Sequence, residues 1–238
     1  MTATAPAPRR SRLRRALRTL SSVLIVVGAL LLIDAVLTLV WQEPLSSLYA
    51  HARQSHLQGQ LDELERRPLA PVERQAIDRL PDTSRRLEFA ARAFARTVRP
   101  GDALARLRIP RVGLSIVMVA GTDAAQLREG PGHYPGTPLP GRHGTVAVAG
   151  HRTTYLAPFR HLDALEPGDE IEVTMPYGRF SYRVDRTRIV APTALWVTRP
   201  VGHDQIVLTA CNPLYSAAQR IVVFARLATA IPRGWAAR

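Results

Sequence analysis

The 238-residue sequence contains no lysine; all 32 of its basic residues are arginine. It contains one cysteine, Cys211, which excludes an intramolecular disulfide and any metal site built from several thiolates. Aromatic residues make up only 6%, and 15 Gly with 19 Pro are too few for a collagen-like or low-complexity chain. No internal repeat is present. None of the 7 histidines pairs with another at the spacing of metal ligands on a helix, and no carboxylate completes such a set. No zinc site is therefore expected, no metal-ligating residue or cofactor is singled out, and metal dependence is left open by the sequence. The net charge of +13 is unevenly placed: Arg9, Arg10, Arg12, Arg14, Arg15 and Arg18 crowd the N-terminus. From residue 42 onward, 26 arginines are scattered singly among 18 acids, with no helix-face stripe and no nucleic-acid motif. No nucleic-acid partner is expected.

The longest apolar run is 20–41, interrupted only by Ser21, Ser22, Asp34 and Thr38. As a helix it would be about 33 Å long at ~1.5 Å per residue, enough for a hydrocarbon core of about 30 Å. Asp34 costs about 3 kcal/mol at most. The 14 Leu, Ile and Val residues offset it at ~0.3–0.6 kcal/mol each. Arginines precede the run and are scarce just after it, which predicts a cytoplasmic N-terminus and an exported remainder. A cleaved signal peptide is the alternative, with Ala50-His51-Ala52 as a weak small-x-small site. The expected order is thus a cytoplasmic arginine-rich tail (1–19), a transmembrane helix in the lipid bilayer (20–41), an extracytoplasmic helical stalk (42–99) and a C-terminal domain (100–238).

The stalk reading rests on apolar residues recurring at three and four (Leu45, Leu48, Tyr49, Ala52; Leu57, Leu61, Leu64; Phe94, Ala95, Val98), broken by Pro68, Pro71 and Pro81. Its periodicity does not decide whether it docks on the C-terminal domain. Beyond Pro100 the period shortens. Eight β-rich runs (104–109, 114–119, 144–149, 170–174, 179–184, 188–190, 205–210 and 221–227) are separated by Pro- and Gly-rich turns, which predicts an all-β barrel or sandwich. Segments 122–130 and 155–165 are each expected to add a short helix.

Cys211 follows an apolar strand-like run and precedes Asn212-Pro213, which must end the strand, so the thiol stands at the mouth of the barrel. It is either a small buried core residue or a nucleophile; an exported chain gains little from an unpaired, oxidisable thiol without a use. Arg220 opens the next strand, and a hairpin would bring it beside Cys211. It is either a solvated strand-end residue or a partner. His151 closes another strand-like run, 144–149, after Gly150.

These residues carry a recognisable context: Gly150-His151-Arg152-Thr153-Thr154-Tyr155, Pro158-Phe159, Leu208-Thr209-Ala210-Cys211-Asn212-Pro213 and Ser216 to Arg220, preceded by the Gly130–Gly141 stretch. Over about 102–228 the chain resembles the sortases, class E most of all. That resemblance implies a closed eight-stranded β-barrel and a cysteine transpeptidase. Such an enzyme cleaves a Leu-Ala-x-Thr-Gly or Leu-Pro-x-Thr-Gly sorting motif between Thr and Gly, holds the product as a thioester and passes it to a cell-wall amine. The implied partners are exported proteins with C-terminal sorting signals and a peptidoglycan precursor amine. By the same resemblance Cys211 is the nucleophile, His151 the proton carrier and Arg220 a donor to the substrate backbone or oxyanion.

The sequence departs from the family at Ala210, where a threonine usually precedes the nucleophile. That removes a hydroxyl expected to help position substrate, and it is the one feature favouring a degenerate, membrane-anchored scaffold. Thr209 and Ala210 are expected to contact substrate. Leu195 and Trp196 are either a pocket wall for the motif's leucine or a loop packing its own tryptophan; Tyr134 is a candidate for shaping the next pocket. A pilin-polymerising enzyme is disfavoured, and the Ser-x-Gly-Cys-x-Arg signature of L,D-transpeptidases is absent. With ordinary values of about 8.5 for cysteine and about 6.5 for histidine, fewer than ~1% of molecules at pH 7 would hold a thiolate–imidazolium pair, which predicts a slow enzyme with a bell-shaped pH profile.

Overall fold

The computed structural model describes residues 9–41, 44–67 and 70–237. Residues 1–8 of the expected tail and the expected break at Pro68 lie outside the described residues, as do the side chains of Leu45, Leu48 and Tyr49. The chain divides into two compact units, Met1–Pro44 and Leu45–Arg238.

The first unit holds one helix, α1 (Arg9–Trp41). Within it Arg14–Asp34 has a mean hydropathy of 2.3 over 21 residues, and no part of that stretch is buried. Leu24, Ile25, Leu31 and Leu32 are exposed. By length and composition this helix suits a bilayer core.

The second unit begins with α2 (Pro44–Arg66), α3 (Pro71–Asp78) and α4 (Thr83–Ala95). The α4 start follows from Asp82, whose carboxylate accepts the Arg85 N–H at 2.7 Å. The apolar period of these helices finds its partner in the barrel, so the segment is not a free stalk. Leu57 and Leu61 bury against Ala103, Val117 and Val119, and Leu87 and Phe94 enter the main core. Gln54 adds polar bonds: its amide donates to Val117 O (3.0 Å) and Glu129 O (2.7 Å) and accepts from Val117 N (2.8 Å). Gly130 makes room for it, since a Cβ there would stand 2.6 Å from the Gln54 amide nitrogen. Trp235 Nε1 donates to Arg67 O at 2.9 Å, tying the C-terminal segment to the same helices.

The barrel has eight strands: β1 (Ala103–Ile109), β2 (Leu114–Ala120), β3 (Gly132–His133), β4 (Thr145–Ala149), β5 (Glu170–Met175), β6 (Gly178–Val190), β7 (Gln205–Asn212) and β8 (Gln219–Pro232). They close in the order β1-β2-β3-β4-β7-β8-β6-β5. The eight are not the eight expected. Segments 179–184 and 188–190 are one strand, with a register shift between Val184 and Arg186 absorbing the polar interruption. The two-residue β3, hidden in the Pro- and Gly-rich stretch, pairs in parallel with β2 and antiparallel with β4. A short helix α5 (Ala124–Leu127) stands within the expected 122–130. The helix expected over 155–165 shrinks to one 3-10 turn, Leu162–Ala164, because Tyr155, Leu156 and Ala157 take left-handed backbone (φ 49°, 67° and 41°).

Along β7 the side chains alternate: Ile206, Leu208 and Ala210 join the core, while Val207 packs with Val197, Val222 and Phe224 in a separate outer cluster. Val146 and Val148 set the same alternation on β4, and Ile221, Val223 and Ala225 on β8. Full burial of a Leu or Phe contributes about 1.5–3 kcal/mol, so losing four such contacts with α2 and α4 exceeds about 6 kcal/mol. A chain cut to 100–238 is expected to melt more than about 10 °C below one cut to 45–238 in scanning calorimetry. Equal melting temperatures would contradict the docking.

Candidate active site

Two pairings bring the site together. β4 and β7 run in parallel with Ala149 opposite Thr209, and Gly150 N extends the ladder by donating to Thr209 O at 3.0 Å. His151 and Cys211 are each the second residue past that pair. β7 and β8 form an antiparallel hairpin in which Cys211 stands directly opposite Arg220. By the alternation of each strand, Cys211 shares the outer face with Val207 and Thr209, and Arg220 shares it with Val222 and Phe224. The site is therefore at a strand end, on the outside of the wall rather than inside the barrel mouth. Gly150 matters because the chain passes beneath buried Phe159: a Cβ at 150 would stand 2.5 Å from that ring.

The thiol of Cys211 is free and half-buried. Arg220 Nη1 donates to Ala217 O and Gln219 O, both at 2.9 Å, folding the guanidinium onto the β7–β8 turn. Its other N–H groups have no partner among the described residues, so they remain available to a ligand. His151 is half-buried, and burial holds its pKa below the ordinary 6.5; the positive charge of Arg128 lowers it further. Its backbone carbonyl accepts Phe159 N at 3.0 Å, closing the loop after β4. Three consecutive left-handed residues inside that loop cost about 1–2 kcal/mol each, offset by this bond and by the burial of Ala157.

One residue of this site was not singled out from the sequence. Arg152, next to His151, is buried, with 5% of its surface exposed. Its Nη1 donates to Asn212 Oδ1 at 2.6 Å, its Nε to Arg160 O at 3.2 Å, and its Nη2 reaches Asp163 at 3.0 Å. Asn212 is the residue after Cys211, so this side chain clamps the loop after β4 to the end of β7. Its only sequence signal was its place in the Gly-His-Arg run.

The expected substrate residues separate into two groups. Tyr134 reaches across β4: its hydroxyl lies 3.1 Å from Thr209 Oγ1, on the outer face near Cys211. Its turn is held by His133, a buried imidazole whose Nε2–H points to Pro138 O and Thr137 Oγ1, each at 3.1 Å. Trp196, in the 3-10 turn Leu195–Thr198, stacks on Phe224 with ring centroids 6.1 Å apart, and the Arg186 guanidinium lies 4.6 Å from the Phe224 ring centroid. It thus covers the outer face two pairs down from Cys211, with Leu195 beside it exposed. Ala210 does not belong to this face. Its methyl group is buried in the barrel core, where strand alternation puts every second residue. Among the described residues, no group of three or more His, Cys, Asp or Glu could hold a metal ion.

Replacing Arg152 by Met keeps its stem but leaves Asn212 Oδ1 and Arg160 O without donors. Urea unfolding of Arg152→Met is expected to show a loss of about 2–3 kcal/mol; a loss under ~0.5 kcal/mol would mean that the clamp does not hold the two strand ends together. His133 and His151 both have folded-state pKa values below 6.5, His133 because burial disfavours its charged form. Just below that pH the unfolded chain binds more protons. Their contribution to stability is present above about pH 6.5 and is lost as pH falls through the folded values. The melting temperature should therefore drop between pH 7 and pH 5.5, and less so in His133→Gln; an equal drop in both proteins would contradict this.

The sortase domain family matches residues 107–228, which include His151, Cys211 and Arg220. The chain is 32% identical over 134 residues to Sortase D of Bacillus subtilis (strain 168), covering 54% of this chain and 66% of that protein. It is 29% identical over 150 residues to Sortase SrtE1 of Streptomyces coelicolor, covering 56% of this chain and 43% of that one. It thus spans less than two thirds of the length of either relative. The solved structure of sortase E from Streptomyces avermitilis aligns with a TM-score of 0.52 at 34% identity, over 56% of this chain and 93% of that chain. With a matching family over half its length and the closed barrel those structures share, the chain belongs to the sortase family.

Proposed function

We propose that this chain is a cysteine transpeptidase, held in the membrane by α1, that acts on sorting signals of exported proteins. The observation that carries this reading is the placement of Cys211, Arg220 and His151 at the same end of adjacent strands, with Cys211 and Arg220 directly paired on one outer face. In the proposed reaction the Cys211 thiolate attacks the carbonyl carbon between Thr and Gly of a Leu-Ala-x-Thr-Gly or Leu-Pro-x-Thr-Gly motif. The N–H groups of Arg220 beyond those donated to Ala217 and Gln219 receive the charge that develops on oxygen. The His151 imidazolium gives its proton to the leaving glycine amine as the C–N bond breaks, leaving a thioester. An amine of the cell wall then loses a proton to neutral His151, attacks the thioester and releases the Cys211 thiolate. Tyr134 and Thr209 on one side and Leu195 and Trp196 on the other flank the course a peptide would take along this face.

The arrangement needs thiolate and imidazolium at once. When the imidazole is the more acidic of the two groups, activity rises with pH through the imidazole pKa and falls through that of the thiol. Burial and Arg128 lower the His151 value, so the acid limb should have its midpoint below about 6.5, with a reduced plateau. The scaffold alternative draws its support from Ala210. Because that position faces the core, its missing hydroxyl is not a missing group in the groove, and nothing else favours that reading. Arg14, Arg15 and Arg18 ahead of the apolar stretch support a cytoplasmic N-terminus and an external barrel.

The test is the full chain in detergent micelles with either peptide and a small amine, read by mass for the transferred product. Cys211→Ala should abolish transfer, and Arg220→Ala should reduce it by on the order of 10²–10³. Retained activity in Cys211→Ala would end the proposal, and a loss under about threefold in Arg220→Ala would remove the guanidinium from the mechanism.

A further inference from the structure

His151 is accompanied by two side chains that the proposed reaction does not use. The Tyr155 ring lies beside the imidazole, with centroids 5.2 Å apart and planes tilted by 40°. The Arg128 guanidinium carbon lies 5.8 Å from the Tyr155 ring centroid. The three groups make a guanidinium–phenol–imidazole cluster drawn from two separate segments.

Both segments of the cluster are held by backbone. Tyr155 opens the run of three left-handed residues, a conformation that residues with a Cβ adopt only where their surroundings impose it. Ala157 N donates to Thr154 O at 2.8 Å and Arg160 N to Ala157 O at 2.9 Å, so the ring is delivered by a tight, closed turn. Arg128 is the residue immediately after α5, and its neighbour Glu129 is held on both sides by α2. Glu129 O accepts from Gln54 at 2.7 Å, and the Glu129 carboxylate pairs with Arg53 at 3.1 Å. Glu129 is thereby occupied, which leaves Arg128 exposed and directed at the tyrosine.

We infer that Tyr155 and Arg128 are positioning residues for His151: the tyrosine ring sets the plane of the imidazole, and the arginine holds that ring in place from a segment fixed by α2. This rests on the reading of His151 as the proton carrier. The imidazole is neighboured by Tyr155 from its own loop and by Arg128 from the segment after α5, while Cys211 and Arg220 stand at the matching ends of β7 and β8. The guanidinium of Arg152 is turned away, engaged with Asn212, Arg160 and Asp163. Among these, Arg128 is the cation that lowers the imidazole's proton affinity. A surface charge acting this way is screened by salt, which separates it from any effect of packing.

The experiment is an NMR titration of the His151 imidazole in the full chain in detergent micelles, assigned by loss of its signal in His151→Gln, beside turnover of the sorting peptides. Arg128→Gln should move the His151 midpoint to higher pH, more at low than at high salt, and Arg128→Lys should restore it. Tyr155→Ala should lower kcat on the order of tenfold with KM within twofold, and Tyr155→Phe, which keeps the ring, should stay within twofold of the parent. An unchanged His151 midpoint in Arg128→Gln overturns the role of Arg128, and unchanged kcat in Tyr155→Ala overturns that of Tyr155. If the parent protein transfers no peptide, the proposed function fails; the titration, which needs no turnover, still decides whether Arg128 acts on His151.

Discussion

The parallel pairing of β4 with β7 governs this structure, because parallel strands end at the same side of a sheet. Only that direction lets a residue just past β4 stand level with one just past Thr209. The tight β7–β8 hairpin then returns the chain in time to set Arg220 opposite Cys211. Neither pairing alone would suffice. An antiparallel β4–β7 pair would send His151 to the far end of the barrel, and a one-residue slip between β7 and β8 would turn Arg220 toward the core.

Register alone leaves the side chains at loose strand ends, and the buried groups around them supply the rigidity. Arg152 joins the loop after β4 to the residue after the thiol through a charged group whose donors are met on three sides. Gly150 lets that loop pass under Phe159, and His133 pins the turn that carries Tyr134. The outer face thus gains a fixed floor.

The candidate site residues are legible because each sits where strand pattern meets turn chemistry: Ala149-Gly150-His151, Cys211-Asn212-Pro213, Gln219-Arg220. The side on which Ala210 lies is harder to read. Ile206, Leu208 and Ala210 share one parity and Val207, Thr209 and Cys211 the other, but with apolar residues in both sets the inner face is not marked. Arg152 leaves no pattern, since a buried arginine looks like a solvated one until its partners from distant segments are known. The helices of 42–99 announce an apolar face but not its partner, and β3 is too short to have a period at all. The left-handed turn at Tyr155–Ala157 reads as helix because its composition favours one; only the surrounding contacts select the other hand.

The central claim is that Cys211 forms a covalent intermediate with the help of the residues brought beside it. Intact-mass measurement of the full chain, incubated with a sorting peptide and no added amine, tests it most directly. The account predicts an acyl adduct that maps to Cys211, is accompanied by free glycine-terminal fragment, and is lost in His151→Ala. An adduct on another residue, or one that forms equally well without His151, would contradict it.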